Sequence, residues 1–80
     1  MKARVTVTLK DGVLDPQGKA IENALGALGI TGVASVRQGR HFDVELETDN
    51  KVAATRTLDE MGEKLLANPV IEDFRVEIDD

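Results

Sequence analysis

Polar and apolar residues alternate along four stretches of the chain, and this period of two predicts strands with one buried face. The longest stretch is residues 2–10, where Ala3, Val5, Val7 and Leu9 share one side. Shorter stretches with the same period occupy residues 33–38, 42–46 and 74–78. Four strands are therefore predicted.

The segment after the first strand has helical spacing. Asp15 and Pro16 predict its start, because aspartate caps helices and proline is favoured at the first helical position. Gly29 predicts its end, since glycine readily adopts the left-handed conformation that stops a helix. The predicted buried stripe is Ala20, Ile21, Ala24, Leu25 and Leu28.

A second helix is predicted between the last two strands. Thr48 or Asp49 is the predicted cap, and Asn68-Pro69 ends the helix because the residue before proline is disfavoured in helical conformation. Its predicted buried stripe is Ala54, Leu58, Met61, Gly62 and Leu65.

The resulting order, β-α-β-β-α-β, is typical of an α+β ferredoxin-like two-layer sandwich. Right-handed crossovers then predict an antiparallel sheet of order 4-1-3-2 with both helices on one face. Charge supports this order, because Lys2 and Arg4 of the first strand would lie between acidic residues of strands three and four. Those acidic residues are Asp43, Glu45, Glu47, Glu77 and Asp79.

Composition indicates one domain, residues 1–80, with a thin core. The chain is 41% apolar, but it has two phenylalanines, no tryptophan or tyrosine, and no cysteine for a disulfide. A chain of this size buries only about 60–65% of its unfolded surface. We therefore expect homodimerisation, or a larger homo-oligomer, to complete the fold.

The formal net charge of −5 disfavours nucleic acid and anionic membranes as partners. No apolar run approaches the roughly 20 residues of a membrane span, and the chain starts with a strand pattern instead of an export signal. A cytoplasmic location is expected.

The inventory of reactive side chains is small. Ser35, His41 and Asp43 are the only arrangement that resembles a nucleophile, a base and an orienting acid. A flat, charged sheet surface neither excludes water nor positions an oxyanion donor, so catalysis there is rejected. A single histidine and no cysteine also argue against a metal site.

Three segments are candidate contact sites for partners. The first is the loop of Gly12, Leu14, Asp15, Pro16, Gln17 and Gly18, which alternatively is a capped turn. The second is Arg37, Gly39 and Arg40, which concentrate positive charge at a predicted turn and alternatively are solubilising charges. The third is Asn68-Pro69, which with Val70 and Ile71 either starts a strand or covers an apolar patch on another subunit.

Three segments together resemble the PurS family, the small subunit of bacterial phosphoribosylformylglycinamidine (FGAM) synthase. They are residues 9–18 (LKDGVLDPQG), 36–40 (VRQGR) and 65–74 (LLANPVIEDF). The resemblance spans essentially the whole chain, and Arg40 stands where lysine is the commoner family residue.

This resemblance implies a non-catalytic assembly subunit that binds no cofactor itself. It implies a complex in which a glutaminase subunit releases ammonia and a large synthetase subunit uses ATP and Mg to convert formylglycinamide ribonucleotide to the amidine. The small subunit would form homo-oligomers and bridge the two larger subunits. The complex would consume glutamine.

Two alternative functions share the predicted fold. An ACT-like domain would bind a small molecule at a dimer interface near the first strand-helix loop, where Gly12 lies. An RNA-recognition module would need aromatic rings on the open face of the sheet, whereas alternation places Phe42 on the helix side.

Overall fold

The computed structural model describes residues 1–79 and contains a three-stranded antiparallel sheet. Its strands are β1 (Lys2–Leu9), β2 (Gly39–Glu45) and β3 (Glu72–Asp79). Their order across the sheet is β2-β1-β3, so the first strand of the chain is the central one. The α+β class is confirmed, and so is the predicted position of the first strand between the 42–46 and 74–78 strands.

Opposite charges meet across the polar face of this sheet. Lys2 pairs with Glu45 on one side and Asp79 on the other, and Arg4 pairs with Asp43 and Glu77. The Arg4 Nε lies 3.5 Å from an Asp43 carboxylate oxygen. The cross-strand charge pattern expected from the sequence is therefore confirmed for Asp43, Glu45, Glu77 and Asp79, whereas Glu47 lies beyond the end of β2.

The opposite face of the sheet carries the core. Ala3, Val5 and Val7 of β1 are buried there, and helix α2 (Lys51–Met61) covers them with the fully buried Leu58. Half-buried side chains complete the core: Phe42, Val44, Leu46, Met61, Leu66, Phe74, Val76 and Ile78. Both phenylalanines of the chain thus pack on the helix side, which removes the support for an RNA-recognition module.

The predicted cap of this helix is wrong by one or two residues. Asn50 caps α2, since its side-chain oxygen accepts hydrogen bonds from the N–H groups of Val52 (2.9 Å) and Ala53 (3.2 Å). Thr48 instead accepts a hydrogen bond from the Asn50 N–H at 3.2 Å, which fixes the turn before the cap.

A π-helical turn, Gly62–Leu66, continues α2 and changes which side chains face the core. The wider turn, closed by a hydrogen bond from the Ala67 N–H to the Gly62 carbonyl, holds one more residue than an α-helical turn. Leu65 is consequently 80% exposed, while Leu66 and Ala67 take the inward positions. The predicted burial of Leu65 is therefore wrong, whereas Ala54, Leu58 and Gly62 are buried as predicted.

The strand predicted at residues 33–38 is not formed, and β2 is an edge of the described sheet. Two N–H groups of this segment bond to carboxylates instead of to a neighbouring strand. The Val36 N–H donates to Glu22 (3.1 Å) and the Gln38 N–H donates to Asp15 (2.7 Å). The segment therefore runs beside the first helix.

That helix, α1 (Pro16–Ala27), begins as predicted with Asp15 as the cap and Pro16 in the first turn, but it does not pack on the sheet. Only Gly18 of α1 is buried, and Ile21 and Leu28 are 39% and 74% exposed. The prediction of both helices on one face is wrong, because the hydrogen bonds above tie α1 to residues 36–38. We call residues 16–38 the arm.

The arm makes the molecule long and thin. Its principal extents are 48 × 27 × 14 Å and its radius of gyration is 15.9 Å. A compact chain of 80 residues has a radius of gyration of about 12 Å. Within residues 1–79, no helix has both the length and the apolar character needed to cross a lipid bilayer.

Candidate functional site

The three predicted contact segments converge at one end of the sheet, where β1 ends and β2 and β3 begin. Gly39 starts β2 opposite Thr8, and Glu72 starts β3 opposite Leu9. The Lys10 N–H donates to the Ile71 carbonyl at 2.8 Å, which joins the first segment to the third. We call this region the sheet-end site and define it as residues 9–18, 36–40 and 66–72.

Asp15 links two parts of the sheet-end site through one buried carboxylate. One oxygen accepts from the Gly18 N–H at 2.9 Å and caps α1, while the other accepts from the Gln38 N–H at 2.7 Å. These bonds, first that from Gln38 and then that from Gly18, stabilise the charged form and lower the pKa of Asp15 below its ordinary value of 3.8. Asp15 therefore holds the start of the arm, at Gly18, beside its end, at Gln38.

Gly18 allows the two ends of the arm to approach closely. A Cβ atom at this position would collide with the Val36 carbonyl oxygen and would lie 2.7 Å from an Asp15 carboxylate oxygen. Gln17 and Gln38 add a side-chain hydrogen bond of 2.5 Å beside this contact. The Pro16-Gln17-Gly18 sequence is thus the packing surface for residues 36–38.

Arg37 binds the turn that precedes the arm. Its guanidinium donates to the carbonyls of Val13 (3.0 Å), Lys10 (3.2 Å) and Leu9 (3.4 Å). Gly12 in this turn has a φ of +85°, a conformation that favours glycine. Arg37, near the C-terminal end of the arm, therefore binds the loop that precedes the arm.

Arg40 joins β2 to β3 and to the π-helical turn. Its guanidinium donates to both carboxylate oxygens of Glu72, at 2.9 and 3.1 Å, and to the Leu66 carbonyl at 3.0 Å. Glu72 also accepts from the Asn68 N–H at 2.8 Å. The Arg40 hydrogen bonds and then the Asn68 bond lower the pKa of Glu72 below its ordinary value of 4.5.

Asn68 and Pro69 form the turn between the π-helical turn and β3. The Asn68 side-chain oxygen accepts a hydrogen bond from the Val70 N–H at 3.0 Å, and the Asn68 main-chain carbonyl accepts one from the Glu72 N–H at 2.8 Å. This turn leaves Val70 80% exposed. Leu14, on the first loop, is 77% exposed.

An open concavity of about 290 Å³ lies between the three segments. Its walls carry charges of both signs and amides together with apolar side chains. The lining residues are Val7, Leu9, Asp15, Pro16, Gln17, Gln38, Gly39, Arg40 and Glu72. Arg40 is bonded to Glu72, and Asp15 is bonded to the N–H groups of Gly18 and Gln38, so the concavity is part of a fixed surface. Leu14 and Val70 are the exposed apolar side chains of the surrounding loops.

Sequence reasoning missed three residues of this arrangement: Glu22, Gln38 and Glu72. Gln38 stands between two residues that were singled out, Arg37 and Gly39, so its neighbourhood was a usable signal. Glu72 follows the Asn68-Pro69 turn by three residues and could be connected with it in the same way. For Glu22, no pattern in the sequence predicts a bond to Val36.

The side chains considered for catalysis lie on different parts of the fold. His41 is on the open face of β2, with its Nε2 3.8 Å from an Asp43 carboxylate oxygen, whereas Ser35 lies on the arm. Among residues 1–79, no group of three or more His, Asp or Glu side chains is placed to hold a metal ion.

Comparison with known proteins identifies the family. Residues 2–80 match the family model of PurS, described as phosphoribosylformylglycinamidine (FGAM) synthase. The chain belongs to the PurS family. PurS is a subunit of FGAM synthase in purine biosynthesis, and the expectation drawn from the three sequence segments is confirmed.

Individual PurS proteins agree with this chain over nearly all of their length. The PurS subunit of Mycobacterium leprae is 51% identical over 75 residues, which cover 94% of this chain and 91% of that protein. The crystal structure of Methanocaldococcus jannaschii PurS superposes with a TM-score of 0.90 at 39% identity, covering 99% of this chain and 95% of that chain.

A third comparison concerns a PurS chain solved within an assembly. The structure of PurLQS from Thermotoga maritima contains a chain that matches with a TM-score of 0.87 at 33% identity, covering 95% of this chain and 93% of that chain. This match supports an assembly role, and the ACT-like alternative is not favoured.

Proposed function

We propose that this chain is a non-catalytic assembly subunit of FGAM synthase that bridges the glutaminase and the ATP-dependent synthetase subunits. Ammonia released from glutamine would thereby reach formylglycinamide ribonucleotide. The observation that carries the proposal is the match to a PurS chain in the PurLQS structure, over 95% of this chain. Glutamine, ATP and Mg would be bound by the larger subunits, and the complex would work in the cytoplasm.

We propose further that the chain acts as a homo-oligomer. A compact protein of 8.7 kDa exposes about 4,700 Å² of surface, and this chain exposes 5887 Å². The excess is larger than the roughly 800 Å² that one partner buries in a standard interface. Light scattering on the purified chain is expected to give a mass of at least two chains, and a monomer at micromolar concentration would contradict this part of the proposal.

The sheet-end site is the surface proposed to contact a larger subunit, because its loops are held rigidly and present Leu14 and Val70 to solvent. The test is Leu14→Asp in the complex reconstituted with the cognate glutaminase and synthetase. We expect glutamine-dependent FGAM formation to fall, because a charge replaces an apolar contact, while formation from added ammonium salt persists.

Val52→Asp is the matched control. Val52 is also apolar and 70% exposed, but it lies on α2 away from the sheet-end site. Glutamine-dependent activity is expected to survive this change. Equal activity of both variants would remove Leu14 from the proposed contact, and full glutamine-dependent activity without the chain would overturn the assembly role.

A further inference from the structure

Asp11 is the one aspartate of the chain that precedes a glycine. Such pairs are chemically labile, because glycine has no side chain to shield its main-chain nitrogen from the preceding carboxyl group. Asparagine reacts in the same way, but Asn23, Asn50 and Asn68 precede alanine, lysine and proline. Asp11-Gly12 is therefore the pair whose sequence most favours reaction between a side chain and the main chain.

Asp11 and Gly12 are the two central residues of a type II β-turn. The Val13 N–H closes the turn by donating to the Lys10 carbonyl at 3.1 Å. Gly12 has a φ of +85°, whereas the φ of Asp11 is not positive, which is the pattern of a type II turn. Both central residues are exposed. The pair therefore lies at the tip of a loop, in contact with water.

The flanks of this turn are held, whereas its central peptide group is not. Arg37 donates to three main-chain carbonyls that flank the pair. In the part of the chain that the structure describes, neither the Asp11 carbonyl nor the Gly12 N–H bonds to another protein group, and the Asp11 carboxylate has no hydrogen bond or ion pair. A Cβ atom at Gly12 would meet nothing within 4 Å. The central peptide group can therefore rotate and bring the Gly12 nitrogen to the Asp11 carboxyl group.

We propose that Asp11-Gly12 is a site of spontaneous modification, at which aspartate rearranges to isoaspartate. The Gly12 nitrogen bonds to the Asp11 Cγ; the nitrogen loses its proton and the carboxyl group its hydroxyl, so one water leaves and a succinimide ring closes. Water then opens the ring. Attack at Cγ restores aspartate, whereas attack at the main-chain carbonyl carbon breaks its bond to the Gly12 nitrogen and leaves the chain joined through the side chain, as isoaspartate. Water is the only reactant besides the chain.

Asp15, Asp43 and Asp49 lack this combination of features. Asp15 precedes proline, whose nitrogen has no hydrogen to lose, and its carboxylate is already bonded. Asp43 lies within β2, where the main chain is held in the sheet. Asp49 precedes Asn50, whose N–H donates to the Thr48 side chain at 3.2 Å. Asp43 and Asp49 are therefore internal controls for the reaction at Asp11.

Isoaspartate would lengthen the turn that Arg37 binds. The main chain would pass through the Cβ and Cγ of residue 11, which adds one atom between Lys10 and Gly12. The hydrogen bond from Val13 to Lys10 and the three bonds from Arg37 would then no longer all form in their present geometry. We therefore expect the modified chain to hold the C-terminal end of the arm less firmly.

Ageing of the purified chain tests the reaction. The chain is incubated at neutral pH and physiological temperature, and peptide mapping by mass spectrometry measures isoaspartate at each aspartate. We expect isoaspartate to accumulate at residue 11 of the folded chain, together with a small amount of a form lighter by one water, while Asp43 and Asp49 stay unmodified. The experiment uses this chain alone, so its result does not depend on the proposed assembly role.

Asp11→Glu is the matched variant, because it keeps the charge but can close only a six-membered ring, which forms far more slowly. This variant should give no isomer at residue 11 over the same period. Isoaspartate that formed at residue 11 only in urea-unfolded chain would overturn the proposal, since the folded turn would then block the ring. Equal accumulation at Asp11 and Asp49 would overturn it too, because the unbonded central peptide group would then make no difference.

Amide hydrogen exchange tests the effect on the arm. The isoaspartate form is separated from the unmodified chain by chromatography, and exchange of both forms is followed by NMR. We expect faster exchange at Val36 and Gln38, whose N–H groups bond to the carboxylates of Glu22 and Asp15, and unchanged exchange at Leu58 in the core. Unchanged exchange at Val36 and Gln38 would overturn the expected loosening of the arm.

Discussion

The carboxylate of Asp15 makes two kinds of hydrogen bond, one within its own helix terminus and one to a distant segment of the chain. Asp15 caps α1, as its position before Pro16 predicts, and it also binds the Gln38 N–H 23 residues later. The first hydrogen bond is local and visible in the sequence. The second depends on the path of the arm, so it became evident only from the structure.

The close approach at Gly18 predicts opposite effects for two glycines of the same helix. Gly18→Ala should destabilise the chain by about 1–3 kcal/mol, because the added methyl group collides with the Val36 carbonyl and crowds Asp15. Gly26→Ala meets no atom within 4 Å and should stabilise it by about 0.5–1 kcal/mol, since alanine favours a helix. Urea unfolding of both variants measures the difference, and similar effects of the two changes would contradict the close approach of Gly18 to Val36 and Asp15.

The carboxylates of Asp15 and Glu72 predict a loss of stability in acid. Both have a lowered pKa in the folded chain. The two carboxylates therefore contribute fully to the free energy of unfolding at a pH above their ordinary pKa values of 3.8 and 4.5. This contribution is lost as the pH falls through their lowered pKa values. Urea unfolding between neutral and acidic pH should show the advantage of wild type over the double variant Asp15→Asn, Glu72→Gln shrinking as the pH falls.

The exposed Asp11 provides a control for this experiment. Asp11→Asn removes a carboxylate from the same loop, so comparing it with the double variant separates the general effect of lost negative charge from the loss of the two hydrogen-bonded carboxylates. An advantage over the double variant that stayed constant down to the acid limit would show that neither carboxylate is stabilised in its charged form.

At the scale of elements, the π-helical turn decides which leucine of an adjacent pair belongs to the core. Leu66→Ala should destabilise the chain by about 2 kcal/mol, because a side chain packed against the core is lost. Leu65→Ala should change stability by less than about 0.5 kcal/mol, since Leu65 is 80% exposed. Chemical unfolding of the two variants under identical conditions checks this, and a larger loss for Leu65 would place it in the core.

Elements that the chain stabilises locally were predictable, and elements that depend on distant contacts were not. The alternation in β1 and the start of α1 follow from neighbouring residues. The predicted burial of the apolar stripe of α1 is wrong for the single chain, because helical spacing does not show which surface a helix packs against. Likewise, residues 33–38 have strand spacing, yet Asp15 and Glu22 occupy two of the N–H groups that a strand would use.

The sheet-end site was predictable as a set of segments but not as a network. Arg37 and Arg40 were singled out for their charge, whereas the structure shows what those charges bind: three carbonyls for Arg37, and Glu72 with the Leu66 carbonyl for Arg40. Their role as contacts for a partner stays a prediction.

At the scale of the whole molecule, the arm carries much of the apolar surface that the single chain leaves exposed. If association buries it, unfolding should depend on chain concentration. Raising the concentration from about 1 to about 100 μM should stabilise a dimer by about 2.7 kcal/mol, through mass action alone. Urea midpoints measured at both concentrations check this, and coincident midpoints would show that the arm contributes nothing through association.

The two outer strands of the sheet also limit how such copies can assemble. β2 carries Asp43 and Glu45, and β3 carries Glu77 and Asp79. Registers that place these acidic residues side by side would set negative charge against negative charge, which disfavours pairing of one sheet edge with the next in those registers.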